Sequence, residues 1–148
     1  MDVLRTIMGE IECVVSKVEK EEIDRVVNLI RKDRRIFVAG EGRSGFSAKG
    51  FAMRLMHLGY TVYVVGETIT PALREGDLLV GVSGSGKSIS VIDAARKAKE
   101  KNGVVIAVTS KKGVPACRIC GSSAYNSRNC KRGYRREQRV DSASEFPF

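Results

Sequence analysis

Apolar residues in the first thirty positions recur three and four apart. Leu4, Ile7, Met8, Ile11, Val14, Val15 and Val18 set the period, Glu19, Glu21 and Glu22 interrupt it, and Ile23, Val26, Val27 and Ile30 resume it. That spacing predicts one long helix or two, ending before Asp33, with an apolar stripe suited to packing or to a partner subunit. The period then changes. Arg35–Gly40, Thr61–Val65, Leu78–Val82 and Val104–Val108 are short, continuous, β-branched runs of the kind that fill a sheet buried on both faces. Between them, helical patterns run from Phe46 to about Leu58 and from Ile89 to about Asn102, the second with Ser88 as N-cap and Asn102-Gly103 as its stop. Strand, helix, strand, connection, strand, helix, strand predicts an α/β domain with a parallel sheet.

Two strands end in glycine turns. The first runs Gly40-Glu41-Gly42-Arg43-Ser44-Gly45 and the second Ser83-Gly84-Ser85-Gly86-Lys87-Ser88, each followed by a helix. Glycines let backbone N–H groups approach a ligand closely, serine hydroxyls add donors, and a helix N-terminus adds partial positive charge. Ligands of open parallel sheets sit outside the carboxyl ends of the strands. Two such turns on one rim therefore point to a phosphate.

Three chemistries share these letters. Gly81-x-x-x-x-Gly86-Lys87-Ser88 satisfies the Walker A pattern of nucleotide hydrolases, yet the following strand ends in Thr109-Ser110, without the carboxylate that manages magnesium. Gly40-x-Gly42-x-x-Gly45 fits a dinucleotide fingerprint, with Glu67 as the candidate ribose ligand. Arg43 and Ser44 inside that turn favour a simple phosphate. The third chemistry is the Ser-Gly-Ser-Gly turn of sugar-phosphate isomerases.

Charge divides the chain. Of the net +9, residues 111–148 hold nine Lys/Arg against three Asp/Glu, so two-thirds of the excess lies in the last quarter. Cys117, Cys120 and Cys130 lie there too, with Cys13 apart from them. Three cysteines and a distant His57 make a poor zinc set. The run Lys131–Arg136 has one aromatic and no periodic element around it, which argues against a nucleic-acid site. This region has the composition of a disordered segment. No apolar run approaches the roughly twenty residues of a membrane span. The start, Met1–Arg5, lacks the regions of a signal peptide, and a cytoplasmic location is expected.

The stretches IFVAGEGRSGFSAKGFAMRLMHLGYTVYVVGETITPAL, DLLVGVSGSGKS and VVIAVTS resemble the sugar isomerase (SIS) domain of the 6-phospho-3-hexuloisomerase family, from the N-terminal helix to about Val114. The resemblance implies a flavodoxin-like three-layer αβα fold with a parallel sheet. It implies interconversion of D-arabino-hex-3-ulose 6-phosphate and fructose 6-phosphate in the ribulose monophosphate route of formaldehyde assimilation, with no metal or other cofactor, in a homotetramer. Ser44, Ser83, Gly84, Ser85, Gly86, Lys87 and Ser88 then hold the phosphate and its neighbouring hydroxyls, supported by Gly42, Arg43 and Gly45. A non-catalytic sugar-phosphate-binding domain is the alternative to an enzyme. The family usually has Glu-Thr where this chain has Lys87-Ser88, and its catalytic glutamate, on a later helix, has no match here. No catalytic residue is assigned: His57, on a face with Met53 and Met56, reads as structural, and nothing promotes Glu41 or Glu67 to base.

The domain plan is thus a packing or oligomerisation helix region at 1–32, the SIS domain at 33–114 and a non-family basic tail at 115–148. Codons permitted for Ala116–Gly133, read one base later, give LAEYADHPLIIPGTVKG, a continuation of the family type. A frame change near Pro115–Ala116 would account for the tail. It implies that the fifth strand and C-terminal helices are missing and that an apolar sheet edge is left bare.

Overall fold

The computed structural model describes residues 2–110 and 122–125. Two helices come first, α1 (Val3–Val15) and α2 (Lys20–Leu29). They are two and not one because Glu19 adopts an extended conformation, φ −69° and ψ 132°, at the head of α2. Then follow β1 (Ile36–Gly40), α3 (Gly42–His57), β2 (Val62–Val64), β3 (Leu78–Val82), α4 (Ile89–Glu100), β4 (Val104–Thr109) and β5 (Ser122–Tyr125).

The sheet order is β2-β1-β3-β4-β5, with every neighbouring pair parallel. Alternation along the strands builds two apolar layers. Ile36, Val38, Leu78, Val80 and Ile106 face one side, where Ala48, Ala52 and Leu55 of α3 cover them, flanked by Val26 and Leu29 of α2. Phe37, Ala39, Leu79 and Val105 face the other, under Ala94, Ala95 and Ala98 of α4. Small residues on α4 let it lie close: a Cβ on Gly81 would stand 2.9 Å from Val91 Cγ1. The result is the αβα arrangement that the periodicity predicts.

Four local features differ from the sequence reading. α3 starts at Gly42, not Phe46, because Gly45 N–H already donates to Glu41 O at 3.1 Å; the first glycine turn is thereby the helix's opening turn. Ser88 stands at the N-cap of α4 with no side-chain capping bond, its hydroxyl lying 3.0 Å from that of Ser83 instead. α4 ends at Glu100; Asn102 takes the left-handed conformation at φ 56°, and Gly103 N–H closes the turn on Ala98 O at 2.8 Å. Finally, where no fifth strand is expected, Ser122–Tyr125 pairs along β4, from Ile106↔Ser122 to Thr109↔Tyr125. Ser-Ser-Ala-Tyr carries no apolar signal, but an open edge needs only backbone donors and acceptors. The zinc reading of Cys117, Cys120 and Cys130, the nucleic-acid reading of Lys131–Arg136 and the remainder of the 115–148 tail lie outside the described residues.

At the edge away from the glycine turns, Asp77 fastens the connection before β3. Arg35 donates to it twice, from Nε at 3.0 Å and Nη2 at 2.5 Å, and Arg74 N–H adds a third bond at 2.7 Å. This bidentate pairing holds the Arg35 guanidinium above its ordinary pKa. No helix among the described residues is long and apolar enough to cross a membrane.

Candidate functional site

β1 is flanked by β2 on one side and β3 on the other, so the strand order reverses between β1 and β3. A crevice opens at such a switch point, outside the carboxyl ends of the strands. The two glycine turns leave the sheet from these two strands, and both helices begin at the crevice with their unpaired N–H groups and positive dipole ends toward it.

The first turn is pressed onto β1. A Cβ on Gly40 would lie 2.9 Å from Ser44 O and 3.0 Å from Gly45 Cα, so only glycine allows this approach. Within the turn, Ser47 Oγ donates to Arg43 O at 3.3 Å. The second turn hangs from a buried residue. Ser83 is 2% exposed; its N–H donates to Val108 O at 2.9 Å, and its carbonyl accepts from Gly86 N–H at 3.0 Å. Gly86 itself sits at φ 66°. Ser85 Oγ accepts from Lys87 N–H at 3.2 Å. The end of β4 closes the arrangement, with Ser110 donating from both N–H and Oγ to Gly84 O. The first turn is tied to α4: Ser90 Oγ donates to Glu41 Oε2 at 2.9 Å.

Around these turns lies a cavity of about 680 Å³. It is lined by Arg43, Ser44 and Ser47 of α3, by Val82 and Gly84 at the end of β3, by Val108, Thr109 and Ser110 at the end of β4, and by Glu10 and Val14 of α1. Of the predicted phosphate ligands, Ser44 and Gly84 line this space, as does Arg43 from the supporting set. Ser83 lies buried under it, bonded to Ser88. Ser85, Gly86, Lys87 and Ser88 continue the rim beyond the lining, with Lys87 exposed. Gly42 and Gly45 contribute backbone to the opening turn of α3.

Sequence reasoning missed four polar lining residues. Ser47 follows Ser44 by three positions, which in a helix puts it on the same face, a signal available once α3 is known to begin at Gly42. Thr109 and Ser110 end a strand parallel to β3, so the rim they share with Ser83 follows from topology. Glu10 has no local signal at all, since nothing near it in the sequence points to the crevice. His57 ends α3, thirteen residues past Ser44 and so about 20 Å along the axis from the cavity wall. Glu67 is engaged by Lys49 Nζ at 2.6 Å. His57 is thus remote from the cavity and Glu67 is already paired, in keeping with neither being assigned as a base. Chemically, the cavity offers an arginine, several hydroxyls, the N-terminal turn of α3 and one carboxylate, a set suited to an anion.

A family model described as the SIS domain matches residues 29–123. The chain is similar to the 3-hexulose-6-phosphate isomerase of Bacillus subtilis, 47% identical over 103 residues, which cover 70% of this chain and 56% of that protein. It is also similar to the crystal structure of a hypothetical protein of Methanococcus jannaschii, from which a molecular function of 3-hexulose-6-phosphate isomerase was inferred. There the identity is 39% and the TM-score 0.69, over 78% of this chain and 63% of that one. A further hypothetical protein of known structure matches at 43% identity and TM-score 0.79, over 84% of this chain and 66% of that one. The chain spans a little more than half the length of the curated relative.

Proposed function

This chain belongs to the SIS domain family, and we propose that it is a sugar-phosphate isomerase interconverting D-arabino-hex-3-ulose 6-phosphate and fructose 6-phosphate through an enediol(ate). The observation that supports this reading is the cavity at the switch point, where the opening turn of α3 and the glycine turn after β3 bring Arg43, Ser44 and Gly84 together. The relatives named 3-hexulose-6-phosphate isomerase supply the substrate class. In this reading the phosphate rests on Arg43, Ser44 and the turn Ser83–Ser88, with Gly42 and Gly45 giving the backbone its close approach. Moving a carbonyl between adjacent carbons transfers protons only, so the reaction calls for no redox cofactor.

The finer assignment follows the same lines: a cytoplasmic homo-oligomer, a tetramer by family resemblance, serving the ribulose monophosphate route. Support for assembly comes from α1, on which Leu4, Ile7, Met8 and Ile11 are exposed and no residue is buried.

Calorimetric titration with fructose 6-phosphate, fructose and magnesium-ATP tests the reading. Fructose 6-phosphate is expected to bind, and fructose at least about 100-fold more weakly, because charge-assisted bonds to the phosphate are lost. Turnover of hexulose 6-phosphate then separates an enzyme from a binding domain. Stabilisation by magnesium-ATP, with fructose 6-phosphate inert, would replace this proposal with nucleotide chemistry.

A further inference from the structure

We propose that Glu41 is a counter-anion built into the phosphate seat, a carboxylate that holds down the affinity of the two turns for a phosphoryl group, an inference that rests on the sugar-phosphate reading of the crevice. Glu41 is the N-cap residue of α3, yet its side chain makes no capping bond there. Its carboxylate instead accepts from Ser90 Oγ at 2.9 Å, in the first turn of α4. That helix has no acidic residue of its own in its first turn, and its N-cap hydroxyl, Ser88 Oγ, is engaged with Ser83 Oγ at 3.0 Å. A helix N-terminus favours a negative charge. Glu41 supplies one from the turn after β1, and a phosphate on Ser83–Ser88 would draw on the same dipole.

The charge is not neutralised locally. Among the described residues Glu41 forms no ion pair, whereas Glu67 and Asp77 are held by Lys49 and Arg35. Its position is also close to both turns. Glu41 stands two residues before Arg43, and Ser90 two residues after Ser88. Two residues span at most about 7 Å, less than the Debye length of about 8 Å at physiological salt. Like charges at that range repel, so the carboxylate opposes a phosphate held by Arg43, Ser44 or the second turn. What it opposes is the phosphoryl charge and not a particular sugar. Inorganic phosphate and fructose 6-phosphate are therefore weakened by a similar factor.

The test is calorimetric titration of the full chain and its E41Q variant with inorganic phosphate and with fructose 6-phosphate, at low and at high potassium chloride. Glutamine keeps the length of the side chain and can still accept from Ser90, so the exchange removes charge and little else. E41Q is expected to bind both ligands about three- to tenfold more tightly than the parent at about 0.05 M salt, the ratio falling toward one at about 0.5 M. A side chain that merely ties the first turn to α4 would, on substitution, leave affinity unchanged or lower it. Equal or weaker binding of either ligand by E41Q at low salt would overturn the proposal. So would a gain that persists undiminished at high salt, which marks a change of fit and not of charge. If neither protein binds either ligand, the sugar-phosphate reading itself falls, and the role of Glu41 with it.

Discussion

Arg43 and Lys87 are the cations of the two glycine turns, and they are placed differently. Arg43 lines the cavity beside Ser44, whereas Lys87 is exposed on the outer part of the second turn, its N–H tied to Ser85 Oγ. Letter order makes Lys87 look the more important, as the lysine of a Walker-like run. Geometry reverses the ranking. Arg43→Ala is expected to weaken fructose 6-phosphate binding about tenfold or more, and Lys87→Ala less than about threefold, since Arg43 lines the cavity and Lys87 does not; titration of both variants checks the order. At this scale the sequence disclosed what is local. Both turns could be read because glycine and serine spacing reports a backbone conformation directly. Glu10 could not be read, because its part in the cavity depends on where α1 comes to rest.

Among the elements, β1, β3 and β4 were legible because each is a continuous apolar run largely buried in the sheet, as in Ile36–Val38 and Leu78–Val80. The start of α3 was not, since Gly-Arg-Ser-Gly has poor helix propensity and forms a helical turn only because β1 delivers it there. The Arg35–Asp77 pair likewise joins residues far apart in sequence and fixes β1 to the loop before β3. Asp77 is 5% exposed and accepts three bonds, so Asp77→Ala removes the acceptor of the Arg74 N–H and the carboxylate of Arg35, which keeps only Ala72 O at 3.3 Å. A loss of about 2–3 kcal/mol is expected in urea unfolding. Ligand affinity should change little, because the pair lies at the edge of the sheet remote from the cavity.

For the whole molecule, the αβα architecture and the shared rim were predictable from element order, because parallel strands joined by helices leave few topologies. Two things were not. The helical period of α1 does not reveal which neighbour covers its stripe, and Ser122–Tyr125 carries no apolar pattern that would mark it as a strand. If α1 joins subunits, Ile7→Glu should shift sedimentation toward the monomer while leaving the sheet's far-UV signal intact, since Ile7 is about half exposed in the single chain and packs nothing essential there. An unchanged sedimentation profile would remove α1 from the interface.

Gly40 leaves no room for even a single extra carbon between β1 and the carbonyl of Ser44. The outer rim is under no such restriction, and Lys87 can be exchanged for residues of other size or sign without disturbing any neighbour's packing. Variation in ligand preference within this scaffold therefore has an open route at position 87 and a closed one at position 40, where any side chain would push the first wall of the cavity off the sheet.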